Sequence, residues 1–355
     1  MLELLPKIPI FKFNRRFGFP KVLPINITVS LTYRCNSRCR TCNIYDRKVE
    51  EFSLDEFEKT FKSIGRSPYW ITFSGGEPFL RRDIVEICKS AYENCKPGII
   101  NIPTNGILTE RIENGVRDIL SGCPDTALII NLSIDGIGDK HDEIRGSNDC
   151  FERAMDTYKR LRAIGSSNLT LGIHTVISRY NVKNIKDIYS HIKELKPDSY
   201  VTEMAEERVE LATVGADISP SLIDYSNAVD FIIKDMKGWN MKGISKITRA
   251  FRIHYYKMVK DILRENRILI PCYAGFASCQ ITPDGNIWAC CIKAEDMGNL
   301  REAGYDFKKV WFSTKAERLR EDIKRRKCFC PLANASYTNM LFSLKTLAGI
   351  GLETM

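Results

Sequence analysis

Three cysteines lie close together in the segment LTYRCNSRCRTCNIY (31–45), with the spacing C-x-x-x-C-x-x-C. Cys35, Cys39 and Cys42 could bring three thiolates to one metal centre, and the next cysteine, Cys88, lies far along the chain. A structural zinc ion normally takes four protein ligands, whereas three thiolates on a 4Fe–4S cluster leave one iron without a protein ligand. The spacing therefore indicates a cluster whose open iron binds a substrate or a cofactor.

Short apolar segments alternate with helix-like segments in the first 200 residues, which favours a parallel sheet with helical crossovers. Six such units predict an α/β fold, a partial, three-quarter TIM-type (βα)6 barrel. The cysteine loop and the polar segments 74–78, 104–106 and 133–136 each follow a strand, at the rim where a barrel places its chemistry. The predicted strands are 25–31, 69–73, 98–103, 126–134, 169–177 and 199–202.

The cysteine loop after the first strand, followed by GGEP (75–78) after the second, resembles the radical S-adenosylmethionine (radical SAM) superfamily. The resemblance covers about residues 25–202. It implies a 4Fe–4S cluster held by three cysteines and by SAM. It also implies reductive cleavage of SAM to a 5′-deoxyadenosyl radical, which abstracts hydrogen from a substrate. A zinc site or a ferredoxin-like cluster is the alternative interpretation of the loop.

The same resemblance implies which residues hold SAM. The implied contacts are Gly75, Gly76 and Glu77 for the methionyl amino group, Ser133 and Asp135 for the ribose and methionyl end, and Arg145 for the carboxylate. A guanidinium fork suits a planar carboxylate, although a surface position is the alternative for this arginine. Thr41 departs from the family pattern, in which an aromatic residue often precedes the third cysteine, so the local packing of the adenine is open.

A second group of six cysteines crowds the C-terminal region. The pattern from Cys272 through Gly285 to Cys290 resembles the opening of a SPASM or twitch domain, and the Asp284-Gly285 pair predicts a hairpin turn. Six cysteines are too few for two auxiliary clusters, so we expect the twitch form with one auxiliary 4Fe–4S cluster; zinc is the alternative metal. The predicted ligands are Cys272, Cys290, Cys328 and Cys330, with Cys279 as the alternative ligand.

These patterns divide the 355-residue chain into five predicted parts. They are a basic N-terminal extension (1–24), the radical SAM core (25–202), a helical bridge (203–270), a small cysteine-rich α+β auxiliary-cluster domain (271–330) and an amphipathic tail (331–355). The extension is too short for an appended cobalamin domain or a leader-peptide-binding module.

The net charge of +9 is concentrated in the first 21 residues and in 315–327. Such basic runs indicate either a solvated face or contact with an acidic partner or an anionic membrane, and no motif predicts nucleic-acid binding. No signal peptide is apparent, so we expect a cytoplasmic protein, with peripheral membrane contact as an option. The apolar stripe of the tail predicts either a helix that closes the barrel or an interfacial anchor.

Three functional hypotheses follow. The first is a radical SAM oxidase or maturase that acts on a peptide or small metabolite and receives electrons from a low-potential donor such as flavodoxin or ferredoxin. The second is a radical SAM enzyme for a lipid or lipid-linked glycan at the membrane surface, and the third is a non-enzymatic iron–sulfur electron carrier. Glu203 and Glu206, just past the sixth strand, are candidates for taking a proton from the substrate; a solvated helix start is the alternative.

Overall fold

The computed structural model describes residues 4–238, 243–325, 328 and 330–354. The strands are β1 (Asn26–Thr32), β2 (Trp70–Gly75), β3 (Ile99–Thr104), β4 (Ala127–Ser133), β5 (Leu169–Ile177), β6 (Ser199–Met204), β7 (Ser278–Ile281), β8 (Asn286–Trp288) and β9 (Asp296–Asn299). The helices of the first part are α1 (Lys7–Phe17), α2 (Leu54–Ile64), α3 (Ile84–Cys95), α4 (Thr109–Gly122), α5 (Asp139–Arg145), α6 (Cys150–Ile164) and α7 (Ile185–Leu195). The remaining helices are α8 (Leu222–Lys237), α9 (Gly243–Glu265), α10 (Phe307–Trp311), α11 (Thr314–Arg325), α12 (Ala333–Leu341) and α13 (Leu344–Thr354).

The first six strands form a parallel sheet in which each strand pairs with the next along the chain. At least one helix lies between each pair, which confirms the predicted partial barrel. Strand β1 is buried on both sides, with no exposed surface at Val29 or at its neighbour Ser30, which faces the opposite side, as expected for a strand in an α/β core. The carboxyl ends of these six strands therefore meet along one rim.

The C-terminal cysteine region continues the sheet of the barrel. Strands β7 and β8 form the predicted antiparallel hairpin around Gly285, whose φ of +88° suits a tight turn. Strand β7 also pairs in parallel with β1, with Ile281 opposite Val29. The sheet order is β6-β5-β4-β3-β2-β1-β7-β8-β9, so the hairpin is attached directly to the edge of the barrel.

The segment after β6 differs from the predicted helical start. Residues 205–221, called the bridging loop below, contain no helix. Its backbone bonds instead to the cysteine loop, where the Asn43 N–H donates to Leu211 O over 2.9 Å, and to the segment after β8, where the Val209 N–H donates to Ile292 O over 3.2 Å. These tertiary hydrogen bonds replace those of a helix. Helices α8 and α9 follow it and make up the predicted bridge.

The C-terminal tail packs on its own chain. Tyr255 of α9 donates its hydroxyl hydrogen to Pro331 O over 2.8 Å, and its ring lies 5.0 Å from that of Tyr337. Met340 is fully buried, whereas Leu344 and Leu352 are exposed. The predicted apolar stripe is thus divided between the interior and the surface: Met340 is buried, Tyr337, Leu341 and Leu347 are partly buried, and Leu344, Ala348 and Leu352 are exposed. No helix in the described part of the chain is both long enough and apolar enough to cross a membrane.

Glu56 links α2 to the segment after β9 through hydrogen bonds. It completes a capping box with Ser53 by accepting the Ser53 N–H over 2.8 Å. The same carboxylate accepts hydrogen bonds from Arg301 Nε over 2.7 Å and from the Tyr305 hydroxyl over 2.9 Å. The bond from Arg301 is the main reason why the pKa of Glu56 falls to about 2. One side chain therefore joins the barrel to the C-terminal region.

Replacing Glu56 with glutamine is expected to lower the free energy of unfolding by roughly 1.5–3 kcal/mol, because it removes the charge from these bonds. The folded-state pKa lies below the ordinary value of 4.5, so the stabilisation is present above that pH and is lost as the pH falls towards 2. Urea unfolding of parent and Glu56→Gln across this range measures it. Glu58→Gln on the same helix, where Glu58 makes an exposed pair with Lys62, is the control. Equal stability at neutral pH would contradict the role.

Candidate active site

A cavity of about 240 Å³ opens at the carboxyl ends of the barrel strands. It brings together segments that are far apart in the sequence: the cysteine loop, the ends of β2 and β4, helix α5 and the bridging loop. The sequence-predicted residues that line it are Cys35, Cys39, Cys42, Gly75, Gly76, Glu77, Ser133, Asp135, Arg145, Glu203 and Glu206. The structure thus assembles every predicted residue of the SAM site and both candidate acids around one space.

Helix α5 holds the cysteine loop through its backbone. The N–H groups of Arg38 and Arg40 donate to the carbonyl oxygens of Arg145 and Ile144, each over 2.9 Å. Gly146, which ends the helix, is required here because a Cβ would lie 2.2 Å from Arg38 O. These bonds satisfy carbonyl groups at the end of α5 and place the three thiols towards the cavity.

The two glycines after β2 act on the cysteine loop as well. The Gly76 N–H donates to Thr32 O over 2.8 Å, and the Glu77 N–H donates to Arg34 O over 2.9 Å. A Cβ on Gly75 would lie 2.1 Å from Thr32 O, and one on Gly76 would lie equally close to Arg34 O. The absence of side chains therefore lets two backbone segments meet immediately before Cys35.

Glu77 is buried and already holds several hydrogen bonds. Its carboxylate accepts from the Phe79 N–H over 3.1 Å, from the Thr104 hydroxyl over 2.9 Å and from the Asn105 N–H over 2.8 Å. Burial raises its pKa to about 7, against the effect of these donors. Besides lining the cavity, Glu77 fixes the turn after β3, which makes it a positioning residue for that turn. Its contact with the SAM amino group stays a prediction.

Asp135 and Arg145 form a buried ion pair over 2.8 Å. Asp135 also accepts the Val176 N–H over 2.8 Å, and Arg145 Nη1 points to Cys39 Sγ over 3.8 Å. Arg145 Nε is buried without a hydrogen-bond partner among the described residues. A carboxylate would satisfy this donor, so the donor set fits the predicted SAM contact. Ser133, at the end of β4, lines the same wall.

Two thiols of the cysteine loop, those of Cys35 and Cys42, are poor anions in the protein without metal. Burial is the main reason why the pKa of Cys35 rises to about 11 and that of Cys42 to about 12. A metal ligand must be the thiolate, so binding of a cluster releases these protons and compensates the buried negative charge. The three soft ligands on one rim fit the predicted iron–sulfur cluster.

The predicted auxiliary ligands are also near one another. Burial first, and then the neighbouring thiols of Cys290 and Cys328, raise the pKa of Cys272 to about 11. The pKa of Cys330 is raised well above its ordinary value by burial, with smaller effects from Glu206, Cys272 and Cys290. In the part of the chain that the structure describes, no group of three or more His, Cys, Asp or Glu side chains is arranged to hold a metal ion. The ligand set therefore stays a prediction.

The structure separates the alternative ligand from this group. Cys279 lies on β7 opposite Ile27 and is buried in the main core. Burial raises its pKa, and Arg320 is the charged neighbour that opposes the shift. Cys291 is buried in a small cluster with Leu332 and Ala335, against which Cys330 also packs. Cys330 therefore stays in the predicted ligand set, with Cys279 as the alternative ligand.

The bridging loop adds a buried charged group to the cavity. Arg208 Nη2 lies 3.4 Å from a carboxylate oxygen of Glu203 and 3.4 Å from one of Glu206. Burial by itself would raise the pKa of Glu203, but Arg208 and His174 outweigh it and hold that pKa below its usual value. Burial raises the pKa of Glu206 to about 7. Glu206 Oε1 is buried and accepts no hydrogen bond from the described residues.

Some residues of the site were missed because their roles depend on folding. Asn105 donates from Nδ2 to Asn36 Oδ1 over 2.7 Å and so ties the turn after β3 to the cysteine loop. His141 Nδ1 accepts the Asp135 N–H over 3.1 Å, and burial lowers its pKa to about 4, which keeps the imidazole neutral. In the sequence, the segment TNG (104–106), which contains Asn105, indicates only a turn. The segment HDEIRG (141–146), which contains His141, indicates only a role for Arg145.

Two protein-family models match the chain in this order. Residues 29–192 match the radical SAM superfamily, and residues 272–331 match the SPASM iron–sulfur cluster-binding domain. The chain belongs to the radical SAM superfamily and carries a C-terminal SPASM domain. It is an enzyme, and these domains imply a 4Fe–4S cluster, SAM and auxiliary iron–sulfur ligation.

Relatives of known name share about a quarter of their residues with the chain. It is 27% identical to the Fe-coproporphyrin III synthase of Methanosarcina barkeri over 65% of this chain, and it spans 58% of that protein's length. It is 26% identical to the mycofactocin maturase MftC of Mycobacterium ulcerans, covering 81% of this chain and 74% of the relative. These relatives differ in the product that their names give.

A solved structure shares the fold. SuiB of Streptococcus suis, determined with its precursor peptide SuiA, matches with a TM-score of 0.61 and 15% identity, over 84% of this chain and 67% of that one. SuiB has also been determined with S-adenosylmethionine. At this identity the likeness establishes the fold, and the substrate has to be argued from the site.

Proposed function

We propose that this enzyme removes hydrogen from a peptide and completes a two-electron oxidation, such as a cross-link or a carbonyl, with one auxiliary cluster as the second electron acceptor. When bound, the SAM-ligated cluster and the auxiliary cluster supply the one-electron chemistry of this reaction. Methionine and 5′-deoxyadenosine are the products of SAM. The substrate loses two electrons and two protons in total. One electron and one proton leave together as the hydrogen atom that the deoxyadenosyl radical abstracts, and the other electron and the other proton leave separately.

The position of the bridging loop carries this proposal. The loop bonds to the segment beside Cys42 on one side and to the segment beside Cys291 on the other. Glu206 lines the cavity beside the predicted SAM contacts and influences the thiol of Cys330. A substrate held at this loop would therefore lie between the two predicted clusters.

The residues of the cavity have distinct proposed roles. Cys35, Cys39 and Cys42 hold the SAM-binding cluster, and Arg145 fixes the SAM carboxylate with its unpartnered Nε. Glu206 takes the proton that leaves with the oxidation, because it lines the cavity and its raised pKa suits a general base. Arg208 holds the two glutamates in place.

Peptides encoded by short reading frames beside the gene provide the direct test. Anaerobically reconstituted enzyme, SAM and a reductant would be incubated with each peptide, and mass spectrometry would look for loss of two hydrogens. A peptide deuterated at the reacting carbon should transfer deuterium to 5′-deoxyadenosine. Deuterium transfer from a porphyrin, with none from any peptide, would contradict the peptide assignment and favour chemistry like that named for the tetrapyrrole relative.

Glu206→Gln is expected to lower product formation by roughly 100-fold to 10,000-fold, the usual contribution of a general base. Release of 5′-deoxyadenosine should persist, because the glutamine keeps the shape of the cavity and leaves the cysteine loop intact. Both quantities are measured in one chromatographic assay. Glu207→Gln is the matched control, since Glu207 is exposed and only accepts the Gly215 N–H over 2.6 Å. Full turnover by Glu206→Gln would remove the proposed role.

A low-potential protein such as flavodoxin or ferredoxin is the proposed electron donor. The net charge of +9 favours association with an acidic partner. A second candidate substrate is a lipid or lipid-linked glycan, with peripheral contact at a membrane. The exposed aromatic face of α1 is the observation that favours this second candidate. To test it, a substrate with a long acyl chain would replace the peptide in the deuterium-transfer assay.

A further inference from the structure

Helix α1 is apolar on two opposite sides. Its inner side, with Ile8 and Phe11, packs against Phe342 and the C-terminal cysteine region. Ile10, Phe13 and Phe17, called the outer stripe below, follow each other at three- and four-residue steps and are all exposed. Such steps place side chains on one face of a helix, so this stripe faces away from the protein along the helix.

The outer stripe is unusual within this molecule. Phe13 is 48% exposed, Phe17 is 60% exposed, and Phe19, just after the helix, is 68% exposed. Every other phenylalanine that the structure describes is buried or partly buried. The rings of Phe13 and Phe17 lie 4.5 Å apart, so they form one continuous apolar surface. A contiguous apolar surface of this kind on a folded protein marks an interaction site.

The charges beside the stripe are all positive. The sequence has no Asp or Glu between residues 4 and 22. Lys7, Lys12 and Arg16 form no ion pair with any residue that the structure describes, whereas Lys21 pairs with Glu317 over 2.9 Å. Arg15 is turned inward and donates from Nε to Cys272 O over 2.8 Å. Three cations therefore flank the outer stripe without an acidic partner.

We propose that the outer stripe and its flanking cations bind an anionic lipid surface, with α1 lying in the plane of the headgroups. Aromatic rings on one face and lysine or arginine beside them are what interfacial helices require. The rings would enter the boundary of the acyl chains while Lys12 and Arg16 approach the lipid phosphates, which attract basic residues near a bilayer. The proposal does not depend on the identity of the substrate or on the role of Glu206.

The dimensions of this face favour a lipid surface over a protein partner. Helix α1 has 11 residues and is roughly 16 Å long at 1.5 Å per residue. A stable protein interface takes about 20–30 residues from each side, and this face offers only a few apolar side chains and three cations. A bilayer needs no shaped partner and accepts a short face of this composition.

Co-sedimentation of the full-length, cluster-loaded protein with vesicles tests the proposal. One set of vesicles contains phosphatidylcholine alone, and the other contains phosphatidylcholine and phosphatidylglycerol in equal parts. Binding is expected only to the second set and should weaken with added salt. The variant with Phe13→Ser and Phe17→Ser should bind at least about tenfold more weakly. Lys12→Gln with Arg16→Gln should lower the partition coefficient roughly fivefold per residue.

Controls keep the result interpretable. Ile223→Ser removes an apolar side chain that is 74% exposed on α8 and should leave binding unchanged. Leu352→Ser tests the exposed end of the tail and should also have no effect. Unchanged iron content and circular dichroism show that each variant is folded. The proposal is overturned if the parent stays in the supernatant at low salt, if it binds neutral vesicles equally, if the α1 variants bind as well as the parent, or if sedimentation velocity shows that the stripe joins two copies of the chain.

Discussion

Replacing Cys35, Cys39 and Cys42 together with alanine is expected to reduce the iron content from about eight to about four atoms per chain. The three thiols line the cavity on the loop that follows β1, and no other cysteine borders that space. Release of 5′-deoxyadenosine should be abolished, because this loop is the proposed site of the cluster that cleaves SAM. Iron and sulfide analysis after anaerobic reconstitution, with chromatography of the nucleoside, measures both effects.

Single substitutions in the C-terminal region complete this experiment. Cys330→Ala should lower the auxiliary iron, whereas Cys279→Ala should leave the iron content unchanged, because Cys279 is buried in the core away from the other candidates. Loss of iron from Cys279→Ala but not from Cys330→Ala would reverse the assignment of the fourth auxiliary ligand. Iron content that the triple substitution leaves unchanged would rule out the cysteine loop as a cluster site.

Gly76→Ala is expected to lower the rate of SAM cleavage on the order of 100-fold, the effect of displacing a reacting group by about 1 Å. The new Cβ would lie 2.1 Å from the carbonyl oxygen of Arg34, so the backbone next to Cys35 has to move. The conformation of Gly76 is not in the left-handed region, which makes the effect purely steric. The rate of 5′-deoxyadenosine release and the affinity for SAM are the measurements.

The matched control is Gly351→Ala on α13, where a Cβ meets nothing within 4 Å. A Gly76→Ala protein that keeps its auxiliary iron and its circular dichroism but loses SAM cleavage would show a local effect on the cysteine loop. Overpacking typically costs about 1–3 kcal/mol of stability, so the variant is expected to fold. Normal SAM cleavage by this variant would contradict the close approach of the two backbone segments.

Short motifs specify the local structure of the chain, and the structure confirms the elements that depend on these motifs. The capping box at Ser53, the hairpin at Gly285 and the strands of the barrel are each set by residues a few positions apart. The order of strands and helices also predicts that the cysteine loop and the segments after β2 and β4 meet at one rim, because parallel strands share a direction. The cavity that the predicted SAM contacts line could therefore be located from the sequence.

The contacts between distant segments could not be predicted. The bridging loop has the composition of a helix start, yet its backbone bonds to the cysteine loop and to the segment after β8, and these partners outweigh local propensity. Glu77 matches a predicted SAM contact, but in the folded chain its carboxylate also accepts hydrogen bonds from the turn after β3. The inward turn of Arg15 and the outward stripe of α1 likewise depend on which side of the helix meets the C-terminal region.

The sequence by itself thus determined the class of the protein and predicted the residues that would carry its cluster chemistry, since ligand spacing and strand order are local properties of the chain. Only the tertiary structure shows that β7 joins the edge of β1, that Glu206 lines the cavity close enough to Cys330 to affect its pKa and that Cys279 is buried in the main core. Each of these depends on parallel pairing and packing between residues that are far apart along the chain. A local sequence pattern cannot predict such contacts, because they form between segments that come together only when the chain folds.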